Sequence, residues 1–428
     1  MITLMLAVLG AWFLSLFAGP AIYAAMGLAG FAFLFLAGIP GIVIPQKVAM
    51  AANSFPLLAA PLFILMGNLM NASGISVRIF EFAKAIVGWM RGGLAQANIV
   101  GSVIFAGMSG SAVADAAGLG TVEIEAMQRE GFAPETAAAV TAASATIGPI
   151  IPPSLPMIVY GVAAETSIGA LFLAGVIPGL LMAVALMLMV RHLAIRHDMP
   201  RHPFEGGRAL WTAFRRAFWA LMAPVVLFGG LFSGIFTPTE AAAIAVVYAL
   251  VLGVFVYKDF RIADLPKVIL DTVETTGVVM ALVMTASLLG YCISVSRLPQ
   301  EFGGWLTGLT QSPLVYLLIV NVLLIVVGCF MEALAAMLVL IPILVPVAAK
   351  LGIDPVHFGL VFVLNLMIGL LTPPVGMVLF VLQKVARISF ERMARAVVPY
   401  LVPLVAVLAL ITLWPAVTTA LPSLLLAR

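Results

Sequence analysis

Charge is what this chain has least of. Only 9% of its 428 residues are Asp, Glu, Lys or Arg, against about 25% in an ordinary soluble domain. No stretch is polar enough to make a separate soluble domain, and the longest polar segment, residues 191–216, reads as one loop. Cysteine is nearly absent. Cys292 and Cys329 lie in apolar context, which excludes a disulfide framework and zinc spacing and leaves two small buried thiols. The four histidines form no H-E-x-x-H; His192, His197 and His202 crowd the polar loop, and His357 follows Asp354-Pro355, where it caps or lines a turn. There is no Walker A sequence, so no ATP hydrolysis by a P-loop of its own. The G-M-S-G-S around Ser109 lacks the strand–turn–helix context and the histidine partner of a hydrolase elbow, so no enzyme is expected. The N-terminus lacks the basic region of a signal peptide and is expected to be the first membrane segment.

What fills the chain is apolar. Hydrophobic residues make up 64% of it, mean hydropathy is +1.21, and runs long enough to cross a bilayer recur from end to end. That predicts an all-α polytopic membrane protein; a transmembrane barrel would show short alternating segments instead.

Proline interrupts the apolar runs at two related places. T-I-G-P-I-I-P-P-S occupies residues 146–154, and I-G-L-L-T-P-P-V-G occupies 368–376, with Ile147 and Ile368 an offset of 221 apart. Proline removes a donor and blocks the carbonyl four residues earlier. Pro149, Pro152 and Pro153 therefore free the carbonyls of Ala145, Gly148 and Pro149, and Pro373 and Pro374 free those of Gly369 and Leu370. Such backbone is tolerated at membrane depth only inside protein or against a cavity, and paired breaks point to a transporter's binding site.

The same offset matches Gly107 to Gly328, Ala112 to Ala333 and Ala114 to Ala335, with Ser111 falling on Glu332. Each break follows an apolar region interrupted at its middle, 92–127 and 312–349, predicted to be a re-entrant hairpin. Hairpin then broken helix, twice, is an internal repeat. The expected organisation is scaffold helices and an interfacial arm over 1–91 (amphipathic at 76–91), a first transport repeat at 92–167, and scaffold with a second arm at 168–311. A second transport repeat at 312–395 and a last span at 396–428 complete it. The remaining spans are placed near 2–18, 20–39, 54–71, 168–190, 217–236, 240–257, 272–293 and 397–419, with 40–53 as a linker. Placing the 191–216 loop in the cytoplasm puts 17 of the 21 Lys and Arg there, all but Lys47, Arg297, Lys350 and Arg428. The two repeats are then inverted, with both termini outside.

Candidate ligands cluster at the hairpin tips and breaks. Ser109, Gly110 and Ser111 offer hydroxyls and close backbone, with Thr146, Gly148, Gly369 and Thr372 facing them from the breaks and Gly328 at the second tip. Half-helix ends suit a carboxylate or a cation, and carbonyl and hydroxyl oxygens suit sodium, a hard cation. Small residues also simply allow tight helix packing. Asp115 and Glu332, the ionisable groups nearest the tips, either ligate or cap. Glu123, Glu125 and Glu240 lie nearer helix ends, as capping or interfacial residues, and Arg297 reads as a solvated loop residue.

Four ordered motifs, F-A-G-M-S-G-S-A-V-A-D, T-A-A-S-A-T-I-G-P-I-I-P-P-S-L-P-M, G-I-F-T-P-T-E-A-A-A and D-P-V-H-F-G-L…N-L-M-I-G-L-L-T-P-P-V-G, resemble the large membrane subunit of TRAP (tripartite ATP-independent periplasmic) transporters over essentially the whole chain. The resemblance implies an elevator-type fold and sodium-driven uptake of an organic acid such as a C4-dicarboxylate or sialic acid across a bacterial or archaeal inner membrane. It implies two partners, a small four-helix membrane subunit (Q type), here expected as a separate polypeptide, and a periplasmic solute-binding protein (P type). It places sodium at Ser109, Gly110, Ser111, Thr146 and Gly148, and at Gly328, Gly369 and Thr372. Solute is expected between them, against Ser111, Asp115, Pro152, Pro153, Glu332, Pro373 and Pro374. No cofactor beyond the coupling ion is implied. A stand-alone sodium/anion symporter of similar architecture is the nearest alternative.

Overall fold

In the computed structural model the chain is helical throughout, with no strand among the described residues. Those are residues 1–16, 18–201, 203–204 and 206–426; the side chains at 107–109, 114, 117, 306–307 and 309 also fall outside the description. Eight of the described helices are long and apolar enough to span a bilayer.

Both repeats form as the sequence implies. The first hairpin runs Gly93–Ser109, turns at Gly110, and returns as Ala112–Ala117 and Leu119–Arg129. The second is Pro313–Phe330 and Ala333–Lys350. The broken helices are Pro134–Ala145 with Leu155–Ala163, and Pro355–Gly369 with Met377–Ala386. Their starts are specified locally. Ser154 accepts from the Met157 amide, Asp354 accepts from the Val356 and His357 amides, and a proline occupies the first turn after each cap. Such caps satisfy amides that the helix itself leaves unpaired.

Around the repeats stand the scaffold helices. Leu265–Val295, the longest at 31 residues, packs along Ile22–Leu36, Val43–Ala52 and Ala59–Ala72 and touches the second hairpin through Ala333–Lys350. The arm helix Ile75–Val87 lies against the first hairpin leg and against Gly207–Phe232. At the far end of the chain, Arg392 of Phe390–Leu413 pairs with Glu135 at the start of the first broken helix.

Several boundaries differ from the sequence reading. The polar 191–216 segment is mostly helix, because Ile168–Arg196 and Gly207–Phe232 run their arginine-bearing ends beyond the apolar core. Residues 40–53, read as a linker, hold the helix Val43–Ala52, and the patch at 297–304 opens the helix Leu298–Leu309. The last span starts earlier, as Phe390–Leu413, and a separate helix Ala416–Leu426 follows it. The second leg of the first hairpin is interrupted at Gly118. The first two helices, Ile2–Leu16 and Ile22–Leu36, have 15 residues each, short of the roughly 20 that cross a hydrocarbon core upright.

Candidate functional site

The first break is a buried, self-paired turn. Every residue from Ala137 to Val159 is buried. The Gly148 amide donates to the Ala145 carbonyl at 3.3 Å. Ser154 Oγ donates to the Pro149 carbonyl at 2.5 Å, and Thr146 Oγ1 donates to Ala143 at 2.6 Å. Two of the three carbonyls freed by proline are thus paired again within the turn. Each carbonyl keeps a second lone pair for another partner. The Pro152–Pro153 peptide is cis, as is Pro373–Pro374 in the second break. The turn lies on Gly175 and Gly179 of Ile168–Arg196, where a methyl at either position would overlap the Ile150 carbonyl or the Ile151 side chain. The G-x-x-x-G spacing of 175–179 is a signal for such close approach that the sequence reading passed over.

The first hairpin tip closes onto this turn. Gly110 has a left-handed backbone, φ +63°, which favours glycine. Its carbonyl accepts from the Leu155 amide at 3.3 Å, and a Cβ on it would stand 2.7 Å from the Pro153 carbonyl. Half-buried Ser111 accepts from the Asp115 amide at 2.9 Å through its carbonyl. Asp115 is buried, and its Oδ2 lies so close to Gly148 that a methyl there would overlap it. The Ser109 side chain lies outside the described residues. The structure therefore brings Gly110, Ser111, Asp115, Gly148 and the Pro152–Pro153 pair into one cluster, with Thr146 turned into its own helix.

The second break pairs its freed carbonyls more completely. Thr372 donates its amide to Gly369 at 2.9 Å, and the Val378 amide reaches back to Leu370 at 3.3 Å. The Gly376 amide closes on the hairpin tip through the Cys329 carbonyl at 3.1 Å, and its position matches Leu155 by the 221 offset. Gly328 and Gly369 meet backbone to backbone: a Cβ on Gly369 would stand 2.6 Å from Gly328 Cα. Thr372 Oγ1 donates to Ile368 at 2.8 Å. Glu332 caps Ala333–Lys350, accepting from the Ala335 amide at 3.1 Å, which realises the capping option left open by the sequence. Pro373 is half-buried and Pro374 exposed, so this break is the more open of the two.

The repeats interlock. Met377–Ala386, after the second break, packs on Ala112–Ala117 and Pro134–Ala145 of the first repeat. Leu155–Ala163, after the first break, packs on Ala333–Lys350 and Pro355–Gly369. The Tyr160 ring meets Phe362 at a tilt of 52°, centroids 5.8 Å apart, and fills the space beside Gly359. This exchange of half-helices places the two breaks in one unit.

Two buried polar networks brace the unit. Asn98 Nδ2 donates to Glu123 Oε2 at 2.6 Å and to Thr141 Oγ1 at 2.8 Å, while Ser144 Oγ donates to Asn98 Oδ1 at 2.5 Å. In the second repeat Asn365 donates to Asn321 at 2.8 Å, and Asn321 to Thr412 at 3.0 Å. Glu123 is thus an interior residue rather than the interfacial cap its position suggested. Single polar residues inside apolar runs at 98, 141, 321 and 365 were the available signal. The donor set around the breaks is carbonyl, hydroxyl and carboxylate oxygen, and no group of three His, Cys, Asp or Glu able to hold a metal occurs among the described residues. Oxygen-only sets suit hard cations.

Residues 9–417 match the family described as Tripartite ATP-independent periplasmic transporter, DctM component. The chain is 46% identical, over 97% of its length and 97% of the relative's, to the sialic acid TRAP transporter large permease protein SiaM of Vibrio cholerae. It is 41% identical, over 88% of each chain, to the C4-dicarboxylate TRAP transporter large permease protein DctM of Pseudomonas aeruginosa. It is 38% identical to the 2,3-diketo-L-gulonate TRAP transporter large permease protein YiaN of Escherichia coli, over 87% of this chain and 88% of that one. The fold also matches the crystal structure of the Alcanivorax borkumensis YdaH transporter, with a TM-score of 0.65, 16% identity and 87% of each chain covered.

Proposed function

The chain belongs to the DctM-component family of tripartite ATP-independent periplasmic transporters, a membrane permease rather than an enzyme, and on that premise we propose that it carries a carboxylate solute inward with sodium. The solute class rests on the relatives, whose names specify sialic acid, C4-dicarboxylates and 2,3-diketo-L-gulonate, all organic acids. The partners are a small membrane subunit, of four helices, and a periplasmic solute-binding protein. The membrane is the inner membrane, with the arginine-rich 191–216 face in the cytoplasm, both termini outside and the repeats inverted.

The observation that carries this reading is the closure of two broken helices on two hairpin tips by amides at matching positions, Leu155 on Gly110 and Gly376 on Cys329, the second tip residue lying two before the exact match at Met331. Sodium occupies the oxygen-lined turns, one formed by Ser109, Gly110, Ser111, Thr146 and Gly148, the other by Gly328, Gly369 and Thr372. Most freed carbonyls already hold one hydrogen bond, so the ion uses their second lone pairs and the turns are held in shape before it arrives. Solute lies between the turns, its carboxylate near the half-helix N-termini after Pro152–Pro153 and Pro373–Pro374. Ser111, beside Gly110 at the tip, is assigned to that carboxylate, and Asp115, whose Oδ2 lies against Gly148, to the sodium side of the same cluster. The interlocked repeats then move past the scaffold as one block, an elevator.

Uptake into proteoliposomes containing both membrane subunits and supplied with the binding protein tests this. Uptake is expected with an inward sodium gradient and abolished when potassium replaces sodium. Uptake without the binding protein would instead mark a stand-alone symporter, and uptake indifferent to sodium would remove the coupling proposal.

A further inference from the structure

On the arginine-rich face, away from the breaks, the arm helix Ile75–Val87 and the start of Gly207–Phe232 enclose a cleft of about 600 Å³. Glu81, Lys84, Trp89, Phe204, Arg208 and Arg216 contribute to its lining. A second cleft of about 710 Å³ adjoins it, shares Glu81 and Arg216, and adds Arg215 and Trp219. The nearby cations are not equivalent. Lys84 is paired with Glu130 at 2.8 Å, and Arg78 pairs with Asp259 while its guanidinium covers the Tyr257 ring. Arg208, Arg215 and Arg216 are exposed and make no ion pair among the described residues. Arg215 and Arg216 follow Arg208 by seven and eight residues, so all three fall within about 100° of one another around the helix, with Arg208 and Arg216 on the first cleft and Arg215 and Arg216 on the second.

The level of these arginines is marked by aromatics. Trp89, Trp211 and Trp219 are all at least half exposed, at 51%, 64% and 50%, and exposed Trp gathers where headgroups meet hydrocarbon. The helix that carries the three arginines continues into an apolar span. A basic pocket between membrane helices at that depth selects phosphate-bearing lipid. A free anion would leave the apolar wall of Trp89, Phe204, Ala85 and Ala213 unused.

We propose that this cleft binds the headgroup of one anionic phospholipid. Its phosphate sits on Arg208 and Arg216, with Arg215 alongside, and its glycerol and upper acyl chain lie against Trp89 and Phe204. Glu81, the carboxylate common to both clefts, gives the hydroxyls of phosphatidylglycerol an acceptor. Bound there, the lipid bridges the arm helix, which packs on the first hairpin leg, to the scaffold.

The test is thermal unfolding of the purified full chain in detergent, titrated separately with phosphatidylglycerol, phosphatidylcholine and inorganic phosphate, with native mass spectrometry counting retained lipid. Phosphatidylglycerol is expected to raise the midpoint saturably, with one molecule retained; the other two are not. Each arginine contributes about fivefold in lipid affinity, so Arg208→Gln/Arg216→Gln is expected to bind roughly thirtyfold more weakly. Arg297→Gln, which precedes Leu298–Leu309 and lines neither cleft, leaves binding unchanged. If the double variant does not fold, Arg215→Gln alone is expected to weaken binding about fivefold. Equal phosphatidylglycerol affinity in the variants, an equal shift from inorganic phosphate, or loss of the lipid whenever the small subunit is co-purified would overturn the proposal.

Discussion

Asp115 and Gly148 share one space: the carboxylate oxygen Oδ2 occupies the position that a side chain on Gly148 would need. The contact joins the first hairpin to the first break. Its counterpart in the second repeat is absent, because position 336, 221 residues beyond Asp115, is alanine.

Replacing Gly148 by Ala forces the carboxylate away. Overpacking of this kind costs about 1–3 kcal/mol, so sodium-driven uptake by Gly148→Ala is expected to drop about tenfold. Adding Asp115→Ala to the same chain relieves the overlap and restores the unfolding midpoint without restoring the sodium response. Parental uptake by the single variant would mean that the carboxylate has no part in the turn's function.

At the second break the prediction concerns backbone alone. Gly328→Ala and Gly369→Ala each place a methyl 2.6–3.0 Å from the other glycine's Cα, and backbone cannot rotate aside as a side chain can. Each is expected to lower stability by about 1–3 kcal/mol, measured by thermal unfolding in detergent. A neutral result would show that hairpin and break are not in contact.

Glu332 allows a separation of capping from ligation. Glu332→Ala removes the acceptor for the Ala335 amide at a cost of about 1 kcal/mol, and Ser, a preferred N-cap, should recover most of it. Sodium titration of uptake in the Ser variant is expected to match the parent. A sodium affinity that stays depressed although the midpoint recovers would assign the side chain to the ion.

The Asn98 network has a different vulnerability. Asn98→Leu leaves the Glu123 and Thr141 oxygens buried without their shared donor, a loss of about 1–3 kcal/mol. Asn98→Asp is expected to be at least as harmful, since it sets a second carboxylate beside Glu123. Unfolding midpoints in detergent decide the order.

Movement of the repeats as a block can be tested with a covalent tie. A Cβ on Gly290, in the scaffold helix Leu265–Val295, would stand 3.3 Å from Pro342 Cγ in the second hairpin. The two helices are in direct contact there, which makes the two positions a place to try a disulfide. With Cys292 and Cys329 first replaced by alanine, Gly290→Cys/Pro342→Cys is expected to lose uptake on oxidation and regain it on reduction. Undiminished uptake by the oxidised chain would rule out sliding at this interface.

How much of this was legible depends on whether the determinant is local. Pro149, Pro152–Pro153 and Pro373–Pro374 dictate breaks wherever they occur, and the 221-residue offset ties them together in the sequence itself. The arginines at 191–216 were misread as loop because a helix that leaves the apolar core keeps its backbone pattern while changing its side chains. The fate of the freed carbonyls could not be read at all. Pro149 is satisfied by a hydroxyl five residues on, and Leu370 by an amide across the break; both depend on the turn's path. Glu123 was assigned to a helix end because nothing in one sequence reveals that Asn98, 25 residues away, is its partner.

The meeting of Gly328 and Gly369 also makes a statement about heredity. Two halves of one duplicated unit have come to different rules of tolerance. In the first, a change at 148 can be answered by a change at 115 as far as packing goes, so only the ion holds the pair fixed. In the second, neither position has a partner able to yield, and a saturation library should return glycine alone at both.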